Sequence, residues 1–322
     1  MENKQLYIVL AFYKFVSIEN PLQEVQTHKS FFEGRDITSR IYISEEGING
    51  QMSGSKKDAM AYIDWMHSRE LFHDVEFKLH YWHEQVFPRT TVKYRKQLVA
   101  IDKDIDVEKT GVHLSPADWT KMLGTEEKKV LIDTRNDYEW KLGHFEGAEL
   151  PECATFREFD EYADNLEQTV DKKTPVMMYC TGGIRCELYS ALLKEKGFEK
   201  VYQLDGGIIN YGLKEGTGKW KGKLFVFDDR LSVPISEEEH EVIATCHHCN
   251  CPVEDYYNCA NMDCNELFLS CKDCLKQYRG CCQEECKEAP RVRPYHELNP
   301  HKPFRKYHCY FGEKEKAQAN GE

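Results

Sequence analysis

The segment that most constrains this chain runs from Val176 to Glu187. Four apolar residues, Val176-Met177-Met178-Tyr179, pass straight into Cys180-Thr181-Gly182-Gly183-Ile184-Arg185-Cys186, and a helical pattern follows from Glu187. An apolar run this short reads as a buried strand, and a strand that ends in glycines before a helix predicts a parallel α/β sheet. The glycines let successive backbone N–H groups point inward as an anion-binding nest, and the helix N-terminus adds partial positive charge at the same place. Both favour thiolate over thiol, so Cys180 is the candidate nucleophile, and Arg185 adds charge and rigidity. Thr181, Gly182, Gly183 and Ile184 complete the loop. Cys186 admits two readings, a resolving thiol for disulfide or persulfide exchange or a small buried residue in the first helical turn.

The flanking sequence repeats the strand–helix alternation. Residues 129–133 and 201–204 read as further buried strands, 156–169 and 187–196 as helices, and Gly206-Gly207 ends the last strand. The expectation is a doubly wound parallel sheet over residues 101–225. Residues 1–100 have a different order. Strands at 6–12, 37–43 and 75–81 enclose helices at 21–32 and 56–67, the second with Ala59, Tyr62, Ile63 and Met66 on one face. Gly47-Ile48-Asn49-Gly50 supplies turn residues before a strand at 51–54. The resulting βαββαβ order predicts a ferredoxin-like, acylphosphatase-like α+β domain. In the connecting stretch Arg89, Lys93, Arg95 and Lys96 interleave with Thr90, Thr91, Val92 and Tyr94, which suits either a solvated edge strand or a phosphate contact.

The apolar run at residues 7–13 is too short to span a bilayer and has no small-residue cleavage site after it. The expected compartment is the cytoplasm, with no membrane partner, where thiols stay reduced. That makes the 14 cysteines informative, because ten of them lie between Cys246 and Cys286. Two C-x2-C knuckles, Cys246/Cys249 and Cys271/Cys274, match a structural zinc site in which two turns each present two thiolates to a tetrahedral ion. Cys259, Cys264, Cys281 or Cys282, and Cys286 are the candidates for a second, interleaved site, with Cys251 surplus. Disulfides fit a reducing compartment poorly, an iron–sulfur cluster shares the spacing, and the Cys-x-His step of a RING-type ligase is missing. Residues 226–310 therefore read as a cysteine-rich lobe and 311–322 as a disordered polar tail.

A formal net charge of −12 argues against a chain coated in nucleic acid, but binding depends on the local field. After the cysteines, Arg291, Arg293, Arg305 and Lys306 interleave with aromatic residues. Such a stretch suits RNA phosphates and unstacked bases, or simply wraps the metal lobe. No nucleotide-cofactor motif is evident.

Two further segments give the Cys180 loop a family. Leu131-Ile132-Asp133-Thr134-Arg135 with Glu139 and Gly143-His144-Phe145-Glu146-Gly147-Ala148 resembles the first rhodanese signature, and 201–208, VYQLDGGI, resembles the second. The Cys180-x4-Arg185 interval is the sulfur-handling form. The loop of the related dual-specificity phosphatases is one residue longer, to admit phosphate. The combination of a ferredoxin-like domain, a rhodanese domain with CTGGIRCE, the segment Phe225-Val226-Phe227-Asp228-Asp229-Arg230 and a CxxC-rich tail resembles the tRNA uridine(34) hydroxylase family over about residues 5–310. The resemblance implies oxygen-dependent hydroxylation of the wobble uridine of tRNA to 5-hydroxyuridine, on a catalytic cysteine that matches Cys180 and is regarded as a persulfide intermediate. Molecular oxygen would then be a substrate and tRNA the partner. Two alternatives stand beside it. One is a sulfurtransferase that carries sulfane sulfur as a Cys180 persulfide, with a sulfur-donor protein as partner. The other is a non-enzymatic, zinc-organised binding module.

Overall fold

The computed structural model describes residues 6–103 and 105–295. These form two compact units, the first spanning most of residues 6–239 and the second chiefly residues 221–234 and 240–295.

The first unit opens with a mixed sheet. Strands β1 (Tyr7–Phe15), β2 (Ile37–Ser44), β3 (Gly47–Ser55), β4 (Lys78–Trp82) and β5 (Thr90–Tyr94) lie in the order β4-β1-β3-β2-β5. The first four make the antiparallel order of the expected sandwich. Helix α1 (Pro21–Phe32) starts where the Asn20 side chain accepts the Gln23 N–H at 3.0 Å, and α2 (Lys56–His67) starts where Ser55 accepts the Asp58 N–H at 3.2 Å. Each cap satisfies one of the orphan donors of a first turn. Both helices share a core with the sheet, in which Ile8, Leu10, Phe12 and Ile41 meet Tyr62, Met66 and Phe72.

Two expectations for this region are corrected. Residues 47–50 are not the turn. They open β3, which is hydrogen-bonded on both sides by β1 and β2, and the reversal occurs at Glu45-Glu46 between the paired Ser44 and Gly47. Pairing along both edges outweighs the turn preference of Gly and Asn, since propensity is a weak prior beside tertiary context. Strand β4 begins at Lys78 rather than at residue 75. The basic stretch after residue 88 contains β5, an edge strand parallel to β2.

The same unit continues with β6 (Val112–Leu114), α3 (Pro116–Leu123), β7 (Val130–Asp133), α4 (Asp137–Trp140), β8 (Gly143–Phe145), α5 (Phe159–Thr169), β9 (Val176–Tyr179), α6 (Ile184–Glu195), β10 (Val201–Leu204) and α7 (Gly207–Glu215). Four strands form the parallel sheet β6-β10-β9-β7. Every residue of the inner strand β9 is buried, which explains its unbroken apolar run. Helices α5 and α6 share the sheet's core through Phe159, Leu166, Leu188 and Leu192, and α3 packs against α7. The helix expected from residue 156 begins as a 3-10 turn, and the helix expected from 187 begins three residues earlier, at Ile184. Arg185 and Cys186 therefore belong to its first turn.

After β11 (Trp220–Gly222), the second unit pairs β12 (Leu224–Phe225) with β13 (Ser232–Val233) and β14 (Tyr256–Asn258) with β15 (Leu267–Leu269), and ends in α8 (Lys272–Gln277). No helix among the described residues is long and apolar enough to cross a membrane.

Candidate active site and metal centres

Strand β9 delivers Cys180 to the carboxyl edge of the parallel sheet, where α/β folds place their ligands. The Gly183 N–H donates to Cys180 Sγ at 3.1 Å, and Gly183 holds φ at 109° to start α6. The loop is pinned from the far side by α7, whose Ile208 and Ile209 N–H groups donate to the carbonyls of Cys180 (3.0 Å) and Thr181 (3.2 Å). This approach requires glycine at 207, because a Cβ there would lie 2.6 Å from the Cys180 carbonyl oxygen. The VYQLDGGI segment is thus the clamp on the cysteine loop.

Cys180 is 1% exposed. Burial alone would push its thiol up. A hydrogen bond from Cys186, the charge of Arg185 and the N–H groups of Gly183 and Arg185 outweigh it and hold the group well below the ordinary thiol value. Cys186 moves the other way, raised by its own burial and by the neighbouring Cys180 sulfur, so it remains a thiol and a donor. Thr134 Oγ1 lies 3.5 Å from the Cys186 sulfur. The Arg185 guanidinium meets both carboxylate oxygens of the buried Glu139, at 2.6 and 2.9 Å. Arg185 is therefore a fixed charge and a brace of the loop. A second buried bidentate pair, Arg135 with Asp133 at 2.9 and 2.6 Å, locks the end of β7 beside it.

Residues that the sequence reading missed come from β1, β4 and β6. A Cβ on Gly183 would sit 2.7 Å from the Tyr13 hydroxyl, so the bare backbone admits a side chain of the N-terminal sheet onto the loop. That hydroxyl donates to Glu187 Oε1 at 2.9 Å. The Glu187 carboxylate also receives Thr110 Oγ1 and His113 Nε2, both at 2.9 Å, and Gln203 Nε2 at 3.1 Å. Burial would raise the Glu187 carboxyl, but the bond and charge of His113, with Thr110 and Tyr13, bring it below its usual value. Beside this network lies a cavity of about 470 Å³, lined by Tyr13, Phe15, Lys78, His113, Glu187 and Asp205 among others. Its size falls in the roughly 300–1,000 Å³ range of small-ligand sites. No local sequence signal marks Tyr13, Phe15 and Lys78, since they reach this place only through packing of the N-terminal sheet, whereas Glu187, Gln203 and Asp205 lie within the CTGGIRCE and VYQLDGGI segments.

The second unit gathers cysteines into two groups. Cys246, Cys249, Cys271 and Cys274 form one, and Cys259, Cys264, Cys282 and Cys286 the other, with all ligand atoms in each group within 4.8 Å of one another. The sulfurs of Cys249 and Cys271 lie 3.8 Å apart and those of Cys264 and Cys282 3.6 Å apart. A tetrahedral ion with sulfur ligands at about 2.3 Å requires edges of about 3.8 Å. Backbone N–H groups support the sulfurs, Cys271 N–H to Cys246 at 3.3 Å and Cys282 N–H to Cys259 at 3.4 Å. Either group could hold a metal ion. Cys281 is buried outside both sets, and Cys251 stays a neighbour of Cys249 at 3.4 Å.

Arg89, Lys93, Arg95 and Lys96 are exposed on and around edge strand β5, where Arg95 also lies over the Tyr42 ring at 5.1 Å. Arg291 is exposed and paired with Asp263 at 2.9 Å. Arg293 corrects its reading as an RNA contact. It is 3% exposed, and its guanidinium donates to the Cys259 carbonyl at 2.9 Å and to Asn265 at 3.2 Å, so it braces the cysteine lobe. Arg305 and Lys306 lie outside the described residues.

The chain matches three family descriptions, "UPF0176 acylphosphatase like domain" over residues 7–98, "Rhodanese-like domain" over 115–214 and "Rhodanase C-terminal" over 221–287. Among curated proteins it is 60% identical over 312 residues to a tRNA uridine(34) hydroxylase of Protochlamydia amoebophila, covering 97% of this chain and 98% of the relative. A protein of the same name from Chlamydia abortus is 54% identical over 319 residues, covering 98% of each. One from Chlamydia trachomatis serovar L2 is 55% identical over 305 residues, covering 94% of this chain and 93% of the relative.

Proposed function

From the premise that this chain belongs to the tRNA uridine(34) hydroxylase family, we propose that it hydroxylates the wobble uridine of tRNA at C5, with Cys180 as the nucleophile and dioxygen as the oxygen source. The observation that carries the chemical part is the buried Cys180 sulfur accepting the Gly183 N–H at 3.1 Å, in surroundings whose hydrogen bonds and Arg185 charge favour thiolate. A thiolate, or the persulfide it forms, adds to C6 of uracil and raises electron density at C5 for reaction with oxygen. One oxygen atom stays on C5, and the other leaves as water at the cost of two electrons and two protons from an external reductant. The exposed Arg89, Lys93, Arg95, Lys96 and Arg291 support contact with RNA phosphates.

Two zinc ions suit the two sets of four sulfurs. Cys246, Cys249, Cys271 and Cys274 would hold one, and Cys259, Cys264, Cys282 and Cys286 the other. A closed four-thiolate zinc site has no open position for substrate, so zinc would supply cross-links for the second unit and no reaction step. The reduced thiols of this unit suit a cytoplasmic protein.

The test is nucleoside mass spectrometry of tRNA from a deletion strain complemented with wild type or Cys180→Ser. Complementation by wild type alone restores 5-hydroxyuridine if the reading holds, and normal levels with Cys180→Ser defeat it. The short Cys180-to-Arg185 loop also supports sulfane-sulfur transfer from a donor protein. A thiosulfate–cyanide assay on the same preparations separates that activity.

A further inference from the structure

Lys78 is the feature of the molecule that the loop chemistry leaves unexplained. It lies on β4 at the edge of the N-terminal sheet and lines the cavity that Glu187 of α6 and Asp205-Gly206 of the clamp segment also line, within reach of the Cys180 charge. Two other cations line that cavity, and both are paired, Lys14 with Asp74 and His113 with Glu187. The Lys78 ammonium makes no hydrogen bond or ion pair among the described residues. Its ammonium stands 5.2 Å from the centre of the Tyr13 ring, whose hydroxyl in turn lies against Gly183. Burial lowers its affinity for a proton, and the charges of Cys180, Glu76, Asp205 and Glu187 oppose that. The half-buried ammonium faces the cavity with the Tyr13 ring as its one close partner among the described residues, so its N–H groups are available to a carbonyl that enters with a ligand.

The other groups in the cavity say which ligand. Glu76, Glu108 and Asp205 line it together with the rings of Tyr13 and Phe15. That acidity repels a phosphate, whereas a neutral base with a carbonyl for the ammonium and an N–H for a carboxylate meets every group. Uracil has that edge, with O4 as acceptor and N3–H as donor. An extruded base also finds aromatic faces on which to stack.

Resting on the proposed hydroxylase reading, we infer that this cavity receives the flipped uracil and that Lys78 donates to O4 as Cys180 adds to C6. In that step a sulfur lone pair forms the S–C6 bond and the C5=C6 π pair moves into a C5=C4–O4 enolate. Lys78 holds the new negative charge by hydrogen bonding, without changing the count of protons or electrons. The ammonium meets a neutral carbonyl before addition and an oxyanion after it, so it acts mainly on the transition state.

The experiment uses the full-length protein and two tRNA substrates. Native tRNA reports 5-hydroxyuridine, and tRNA carrying 5-fluorouridine at position 34 reports the C6 adduct as a denaturation-resistant protein–RNA complex. Lys78→Gln should lower kcat about 10²- to 10³-fold, the typical cost of an oxyanion donor, with KM changed less than threefold. It should slow adduct formation in parallel, and Lys78→Arg should recover part of both. An unchanged thermal midpoint shows that Lys78→Gln folds. Normal kcat in Lys78→Gln, or a rise in KM alone, overturns the inference. So does a wild-type protein that makes 5-hydroxyuridine but never the adduct. A wild-type protein that makes no 5-hydroxyuridine fails the hydroxylase reading instead.

Discussion

The two guanidinium nitrogens of Arg185 lie 2.6 and 2.9 Å from the two carboxylate oxygens of Glu139, a residue with no exposed side chain. The pair ties the start of α6 to α4, and so holds the cysteine loop between two elements that the chain supplies 46 residues apart. Removing one partner of a buried ion pair leaves the other charge uncompensated. Glu139→Ala should therefore cost about 3–5 kcal/mol of stability by denaturant titration. Arg185→Lys keeps the charge but loses the fork, and should fall between wild type and Glu139→Ala.

Cys180 and Cys153 should separate in a pH series of alkylation. Burial, with Glu158 nearby, pushes Cys153 up to about 11, whereas the surroundings of Cys180 hold it below the ordinary thiol value. Only the thiolate reacts, so Cys180 should be modified readily at pH 7 and lose reactivity as the pH falls through its lowered pKa. Cys153 should stay silent throughout that range. Peptide mass spectrometry after brief iodoacetamide treatment reads both sites, and equal rates would contradict the assignment.

Gly183 carries two constraints that a double-mutant cycle can divide. Alanine there meets the positive φ of 109° and places its Cβ 2.7 Å from the Tyr13 hydroxyl. The backbone conformation alone costs of the order of 1–3 kcal/mol for a non-glycine residue. Gly183→Ala should lose at least that much by urea unfolding. Adding Tyr13→Phe should recover only the steric part, since it removes the nearest atom and leaves φ unchanged.

Metal content should distinguish adjacent cysteines. Cys282 belongs to the second set of four sulfurs and Cys281 does not. Zinc analysis of purified protein should give two ions per chain for wild type and for Cys281→Ser, and one for Cys282→Ser. Loss of an ion from Cys281→Ser would reassign the ligand.

The exposed basic residues predict a salt signature. Replacing Lys93 and Lys96 with Gln should weaken tRNA binding and reduce the slope of log affinity against log salt by about one unit per lost phosphate contact. Arg293→Gln should instead lower the melting temperature of the cysteine lobe, because its guanidinium is committed to Cys259 and Asn265. Filter binding at three salt concentrations checks the first expectation, and thermal unfolding the second.

The sequence by itself determined what depends on near neighbours along the chain. The strand–loop–helix around Cys180 was legible because an apolar run, a pair of glycines and a helical stretch are local instructions. The C-x2-C knuckles were legible because two thiolates at that spacing already fit one ion. Tertiary structure decided the rest. It turned residues 47–50 from a turn into a strand by pairing them on both sides, chose Cys282 over its neighbour for the second sulfur set, and drew Arg293 inward. It alone set Tyr13 against Gly183, 170 residues further along the chain, and Lys78 in the same cavity as Glu187, 109 residues further along. The physical reason is the same in each case. Backbone preference is worth a fraction of a kcal/mol per residue, whereas sheet pairing, ligand geometry and burial of a charge act through groups distant in sequence.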